Sequence, residues 1–138
     1  MDDKSDKDLK TKKTESIIGD RIEIKEDISP EILESLKNTP RGKGVIIVLK
    51  GPNIGEKIII NKSVFRIGRE SDSDIFLDDI TISRKHAQIE KIDSRYKITD
   101  LGSLNGIYVN SRAVEEKTLE NGDKIQIGKY VFYYFYFE

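Results

Sequence analysis

Apolar and polar residues alternate in short runs from Val45 to the C-terminus, with turn residues between the runs. Short apolar runs bounded by turn residues predict β-strands, and nothing in this region reads as a helix of ten or more residues. Nine short strands within 94 residues are typical of an all-β sandwich. The predicted strands are 45–50, 57–60, 63–67, 74–77, 87–91, 96–99, 106–109, 124–127 and 130–137.

The last predicted strand holds seven of the eleven aromatic residues in the chain. Because side chains alternate between the faces of a strand, aromatic rings occupy both of its faces. Two apolar faces indicate a central strand, or a strand with one face covered by another element. We interpret it as a core strand; the alternative is a sheet face that binds a partner.

The first 44 residues have a different composition. Residues 1–16 are almost all polar and cannot bury enough apolar area to offset the entropy cost of ordering, so we predict disorder there. Isoleucines between charges at 17–28 suit a segment that docks only part of the time. Ser29 can cap a short helix over 29–37, with Pro30 at its first position. We therefore divide the chain into a flexible tail at 1–28, a helix and linker at 29–44, and a sandwich domain at 45–138.

Composition excludes several function classes. The net charge of −1 gives no argument for binding nucleic acid or an anionic membrane. No apolar run approaches 18 residues, and the N-terminus lacks the apolar region of a signal peptide, so we expect a cytoplasmic protein with no membrane partner. The absence of cysteine and the single histidine argue against disulfides, thiol catalysis and a zinc site. We expect no metal and no cofactor.

Four aspartates between residues 72 and 79 miss the spacing of an EF-hand calcium loop. We therefore expect a solvated acidic loop that contains Asp72, Asp74, Asp78 and Asp79.

Three clusters of polar residues interrupt the strand pattern: Gly68–Glu70, Ser83–His86 and Ser103–Gly106. Each cluster follows or precedes a strand, so all three can lie at one end of a sandwich. Arginine forms a two-pronged contact with phosphate oxygens, serine donates a hydrogen bond, and glycine-rich turns present N–H groups. The amide of Asn105 can both donate and accept, which suits binding to a peptide main chain. The clusters together predict a phosphate-binding site.

Three short motifs, Gly68-Arg69, Ser83-Arg84-Lys85-His86 and Asn105-Gly106, in this order and at these spacings, resemble the signature of the forkhead-associated domain family. Segments at 51–57, 73–90, 100–110 and 121–130 also resemble family members. Within the family, the chain looks most like the bacterial glycogen accumulation regulators and oxoglutarate dehydrogenase inhibitors. The resemblance implies a β-sandwich of about eleven strands that binds phosphothreonine through its inter-strand loops.

The resemblance also implies a role for each matching residue. Arg69 and Ser83 would contact the phosphate, and Arg84 would contact the phosphate or the peptide backbone. Asn105 would bind the ligand main chain, and N–H groups near Leu104, where some relatives carry a hydroxyl side chain, would add to phosphate binding. Structural roles in the binding loops would fall to Gly68, His86 and Gly106, with His86 bracing the loops of Ser83 and Asn105.

Family members of this type carry a phosphorylatable threonine before the domain, and the phosphorylated tail folds back into the binding loops. The twin-threonine motif itself is absent here. Thr14 is the nearest match, because Ile17 follows it at the third position, which family members often recognise; Thr11 is second. The alternative is an unmodified Thr14 in a solubilising tail. The implied partners are a Ser/Thr protein kinase, a phosphothreonine protein, and 2-oxoglutarate dehydrogenase or glutamate dehydrogenase.

Two other functions stay open at this point. One is a generic adaptor that recruits a kinase or another phosphoprotein. The other is a small enzyme that uses Ser83, His86 and Asp100 as a triad. No nucleophile elbow accompanies Ser83, so we expect that the chain is not an enzyme.

Overall fold

Two sheets face each other as a β-sandwich in the computed structural model, which describes residues 29–138. The six-stranded sheet has the order β2-β1-β11-β10-β7-β8, and the five-stranded sheet has the order β4-β3-β5-β6-β9. All strand pairs are antiparallel except β3 and β4, which are parallel. The elements are α1 (Pro30–Lys37), β1 (Gly44–Lys50), β2 (Lys57–Ile60), β3 (Val64–Gly68), β4 (Ile75–Phe76), β5 (Ala87–Ile92), β6 (Arg95–Asp100), β7 (Ile107–Val109), β8 (Arg112–Val114), β9 (Glu116–Thr118), β10 (Lys124–Ile127) and β11 (Tyr130–Tyr136).

The all-β sandwich is confirmed, and so is the count of eleven strands that the resemblance implied. Each of the nine strands predicted from these short runs is present. The two additional strands, β8 and β9, have three residues each and lie at the edges of their sheets. Edge strands this short bury few side chains, so they impose no apolar pattern on the sequence.

The core lies between the sheets and consists mainly of isoleucine and aromatic side chains from their inner faces. Alternation along each strand places these side chains inward and their neighbours outward. Its largest fully buried members are Tyr134, Phe132, Ile46, Ile60, Ile67, Ile82, Ile89, Ile98, Ile107 and Ile125. The fully buried Ile47 and Phe135 lie on the opposite face of the six-stranded sheet, in the cluster that helix α1 covers.

Strand β11 is central, between β1 and β10, and it is covered on both faces. One face joins the inter-sheet core. Helix α1 covers the other, with Ile32 and Leu36 against Tyr133 and Phe135. The core-strand interpretation is therefore correct, and within residues 29–138 the outer face of β11 is occupied by this chain's own helix.

Helix α1 is held at both ends. The Ser29 hydroxyl accepts a hydrogen bond from the Ile32 N–H at 3.3 Å, and Pro30 begins the helix, as the sequence predicts. At the other end, the Lys57 ammonium of β2 donates to the Ser35 carbonyl at 2.8 Å. Burial of Ile32 and Leu36 contributes roughly 1.5–3 kcal/mol for each side chain.

Residues 1–28 lie outside the described part of the chain. The disordered tail, the docking segment and phosphorylation of Thr14 or Thr11 therefore stay predictions, as does the division into three segments. No helix within residues 29–138 is long and apolar enough to cross a membrane.

Just before β10 begins, the buried carboxylate of Asp123 accepts three hydrogen bonds. Its donors are Asn110 Nδ2 at 2.9 Å, Lys117 Nζ at 3.0 Å and the Glu120 N–H at 2.9 Å. We expect Asp123→Ala to lower the free energy of unfolding by about 3 kcal/mol, since it leaves these donors without their acceptor. Urea denaturation measures this loss. The Lys117→Met control keeps two of the three bonds and should lose less; an unchanged midpoint for Asp123→Ala would contradict the expectation.

Candidate functional site

The three polar clusters meet at one end of the sandwich, in the loops β3–β4 (69–74), β4–β5 (77–86) and β6–β7 (101–106). The Arg69 N–H donates to the Ser83 carbonyl at 3.0 Å, which joins the first loop to the second. The Leu104 N–H donates to Ser83 Oγ at 3.0 Å, which joins the third loop to the second. The structure thus brings together the residues that the sequence singles out.

Arg69 follows β3 directly and is exposed to solvent. Its Nε donates to the Ile82 carbonyl at 2.9 Å. This bond fixes the plane of the guanidinium and leaves its terminal nitrogens for an anion. A guanidinium oriented in this way suits a two-pronged contact with phosphate oxygens.

Gly68 lies where β3 passes against the β4–β5 loop. A Cβ atom at this position would lie 2.0 Å from the Arg84 carbonyl oxygen, which is backbone and cannot move aside cheaply. Only glycine therefore permits the close approach that places Arg69 beside Ser83, which supports the structural role assigned to Gly68.

His86 is fully buried and lies between two of the loops. Its Nδ1 accepts a hydrogen bond from the Ser83 N–H at 3.0 Å, and its Nε2 lies 2.8 Å from the Gly106 carbonyl oxygen. Both contacts are satisfied only when the proton sits on Nε2 and the ring is neutral. The ring therefore links the loop of Ser83 to the loop of Asn105, as expected of a bracing residue.

A catalytic triad does not form from Ser83, His86 and Asp100. Both ring nitrogens of His86 face backbone groups. Ser83 Oγ accepts from Leu104, and Asp100 Oδ1 accepts from the Ser103 N–H at 3.0 Å. The geometry removes the argument for a small enzyme. Among residues 29–138, no group of three or more His, Cys, Asp or Glu could hold a metal ion.

Asn105 lies on the β6–β7 loop with its side chain exposed. Its Nδ2 donates to the Thr81 carbonyl at 3.0 Å, which leaves Oδ1 to accept from a peptide N–H. Gly106 follows with φ +77°, the left-handed region that favours glycine. The Leu104 N–H, which we expected to add to phosphate binding, instead donates to Ser83 Oγ. This bond leaves the Ser83 hydroxyl hydrogen to donate to a ligand.

The expectation of a solvated acidic loop is wrong for two of its four aspartates. The Asp79 side chain is 10% exposed and pairs with Lys129 Nζ at 2.7 Å. The hydrogen bond from Lys129, with further bonds from Thr81, lowers the pKa of Asp79 to about 2. Asp74 accepts from Lys62 Nζ at 2.6 Å; burial raises its pKa, but hydrogen bonds from the Arg66 N–H and Lys62 outweigh this and hold the pKa below its usual value.

Two apolar side chains beside the site are exposed. Ile80 of the β4–β5 loop is 93% exposed and Leu104 of the β6–β7 loop is 89% exposed. Each is next in sequence to one partner of the hydrogen bond between Thr81 and Asn105. Sequence reasoning missed Ile80, because an isoleucine between two polar residues looks the same whether it points inward or outward.

Comparisons with known proteins identify the family of this domain. The FHA domain family matches residues 65–128. The oxoglutarate dehydrogenase inhibitor of Corynebacterium jeikeium is 44% identical over 104 residues, which cover 75% of this chain and 70% of that protein. The glycogen accumulation regulator GarA of Mycobacterium tuberculosis is 41% identical over 98 residues, or 71% of this chain and 60% of GarA. The chain thus spans less than two thirds of GarA.

Solved structures share the fold. A domain from work on phosphothreonine-dependent FHA interactions superposes with a TM-score of 0.64 and 27% identity, over 70% of this chain and 98% of that one. The FHA domain of CT664 from Chlamydia trachomatis has a TM-score of 0.63 and 31% identity, over 70% of this chain and 99% of that one.

Proposed function

Because this chain belongs to the forkhead-associated (FHA) domain family, with GarA and the oxoglutarate dehydrogenase inhibitor among its homologues, we propose that it is a kinase-controlled regulator of a metabolic enzyme. As a member of this family it is a phosphothreonine-binding module. Its homologues of this type are regulators without catalytic activity, and this chain is not an enzyme. The residues that bind the ligand, the role of the tail and the target enzyme are our proposals.

The proposal rests on the hydrogen bonding of the Arg69 and Ser83 side chains. Each side chain forms one hydrogen bond to backbone that fixes its orientation, and each keeps donors for a ligand. We assign the phosphate to these donors. Each charge-assisted hydrogen bond contributes about 1.5–3 kcal/mol, so an unmodified threonine loses nearly all of the binding energy.

The rest of the ligand lies along the neighbouring loops in this proposal. Asn105 Oδ1 accepts from the peptide main chain, and the exposed Arg84 contacts the phosphate or the peptide backbone. Ile80 and Leu104 contact an apolar side chain that follows the phosphothreonine. Ile17, the third residue after Thr14, supplies such a side chain.

We further propose that the phosphorylated tail occupies its own binding loops. Helix α1 packs on the sheet, so the tether from Thr14 to Ser29 consists of the 14 residues 15–28. A flexible chain of that length spans roughly 20 Å on average and at most about 50 Å when extended. This reach is comparable with the width of a domain whose radius of gyration is about 13 Å. Closure therefore requires no unfolding of α1.

The partners follow from this arrangement. A Ser/Thr protein kinase modifies Thr14, or Thr11 as the second candidate. The unphosphorylated protein binds a metabolic enzyme, and the names of the homologues favour 2-oxoglutarate dehydrogenase over glutamate dehydrogenase. A cytoplasmic location stays a prediction.

The second candidate function is an adaptor that recruits a kinase or another phosphoprotein. Affinity capture with unphosphorylated protein separates the two: a dehydrogenase complex supports the regulator, and a kinase or other phosphoprotein alone supports the adaptor.

Titration with peptides of residues 9–20 tests phosphothreonine recognition. We expect the peptide phosphorylated at Thr14 to bind with a Kd of about 1 μM and the unmodified peptide to bind too weakly to measure. Phosphoserine at position 14 lacks one methyl group and should bind about fourfold more weakly. A phosphopeptide with Ile17→Ala should also lose affinity, because it removes the side chain assigned to Ile80 and Leu104. Equal binding of the modified and unmodified peptides would refute the proposal.

A further inference from the structure

Two side chains assigned to the ligand depend on two consecutive carbonyl groups. The Thr81 carbonyl accepts from Asn105 Nδ2 at 3.0 Å, and the Ile82 carbonyl accepts from Arg69 Nε at 2.9 Å. Arg69 lies on the β3–β4 loop of the five-stranded sheet, whereas Asn105 lies on the β6–β7 loop that connects this sheet to the six-stranded one. A shift of the backbone at residues 81–82 would therefore displace both side chains together.

The carboxylate of Asp79 holds this backbone in place. Its Oδ1 accepts from the Thr81 N–H at 2.8 Å and from the Thr81 hydroxyl at 2.5 Å. Its main-chain carbonyl accepts from the Ile82 N–H at 3.0 Å. These bonds close a tight turn over residues 79–82, with the Ile82 side chain buried in the core.

A second element fixes the turn from outside. Lys129, in the turn between β10 and β11, pairs with Asp79 Oδ2 at 2.7 Å. Gly128, which precedes it, has φ +58°, and a Cβ atom there would lie 2.5 Å from both Ile82 Cδ1 and Thr81 Oγ1. The β10–β11 turn is thus in close contact with the 79–82 turn.

We infer that Asp79, held by Lys129, is a positioning residue for phosphothreonine binding: it orients the Thr81 and Ile82 carbonyls that in turn orient Asn105 and Arg69. This inference rests on the proposed function and adds to it a residue that touches no ligand. The inference predicts the opposite change in affinity from that expected from charge alone. If charge alone mattered, removing a carboxylate near a dianionic phosphate would strengthen peptide binding, whereas loss of positioning weakens it.

The test compares Asp79→Ala and Asp79→Asn with the unaltered protein, using the peptide of residues 9–20 phosphorylated at Thr14. We expect Asp79→Ala to bind about tenfold more weakly, because one charge-assisted contact to the phosphate is misaligned. Asp79→Asn keeps an acceptor for Thr81 but loses the ion pair, so its loss should be smaller. Lys129→Met removes the same ion pair by changing an exposed side chain, so its loss of affinity should match that of Asp79→Asn. Lys129→Arg keeps the positive charge and should bind the peptide as tightly as the unaltered protein.

Two controls separate positioning from charge. Asp78→Asn removes the same charge from the exposed neighbouring residue and should bind as well as the unaltered protein or more tightly. Lys97→Met breaks an ion pair with Glu116 on β6 and β9, away from the loops, and should leave binding unchanged. Asp79 variants that bind as tightly as the unaltered protein, or more tightly, would overturn the inference.

A readout without ligand keeps this inference distinct from the proposed function. In NMR spectra of the free protein, Asp79→Ala should speed hydrogen exchange at Arg69 Nε and shift the Asn105 side-chain amide, while Asp78→Asn should do neither. Unchanged signals in Asp79→Ala would overturn the inference even if the peptide binds. If these signals change but the unaltered protein binds no phosphopeptide, the proposed function fails and the positioning effect on the two side chains stands.

Discussion

Phosphorylation of Thr14 is expected to weaken the binding of a separate phosphothreonine peptide by about a thousandfold. A short flexible tether gives the attached ligand an effective concentration on the order of 1 mM. With an intrinsic Kd of about 1 μM, the closed state is favoured by about 1,000 to 1, or roughly 4 kcal/mol. A fluorescent peptide that binds the unmodified protein at about 1 μM should therefore need about 1 mM to bind the phosphorylated protein.

The measurement requires kinase treatment followed by peptide titration, with amide NMR spectra of Arg69, Ser83 and Asn105 as a second readout. Thr14→Ala, treated in the same way, should keep the affinity and the spectrum of the unmodified protein. Thr11→Ala should still close. If the Thr11 variant stays open and the Thr14 variant closes, Thr11 is the modified residue. If the treated protein and both variants bind the peptide equally, tail closure is wrong.

Arg69→Ala is expected to weaken binding of the phosphothreonine peptide by at least about a hundredfold. The substitution removes the two charge-assisted hydrogen bonds that we assign to the phosphate, at about 1.5–3 kcal/mol each. Arg69→Lys should lose less, because it keeps the positive charge, although it lacks the two-pronged geometry and the bond from Nε to the Ile82 carbonyl. Calorimetric titration of both variants measures these losses.

The matched control for Arg69 is Arg95→Ala, which removes an exposed guanidinium from the first residue of β6, at the end of that strand away from the β6–β7 loop. It should bind as well as the unaltered protein. Thermal unfolding of Arg69→Ala checks that the loops remain folded, which we expect because the side chain is exposed. Should Arg69→Ala retain full affinity while folded, phosphate recognition at this site would be wrong.

The sequence predicts those parts of the fold in which burial imposes a pattern. Continuous apolar runs reveal β1 and β11, because both faces of these strands are buried, and Ser29-Pro30 reveals the start of α1. Edge strands β8 and β9 leave no such pattern. The two apolar faces of β11 are visible in the sequence, but only the structure shows that α1 covers one of them.

The residues of the candidate site can be predicted from their side-chain types, but the backbone groups that orient them cannot. Arg69, Ser83 and Asn105 fall in recognisable motifs. The carbonyls of Thr81 and Ile82 are acceptors whatever their side chains are, so no residue type marks them. Likewise Asp78 and Asp79 are chemically identical neighbours, yet one is exposed and the other is covered and paired with Lys129. Local burial determines which of the two aspartates is paired, and a single sequence does not reveal that burial.

Main-chain support for the ligand-facing side chains has an evolutionary consequence. Because the carbonyls of residues 81 and 82 exist in every sequence, we expect substitutions at the exposed neighbours Ile80 and Leu104 to leave the proposed phosphate contacts intact. Duplicated copies of such a gene could diverge at these two positions and acquire new targets one substitution at a time. Recognition of the modification and choice of partner would then evolve independently on the same scaffold.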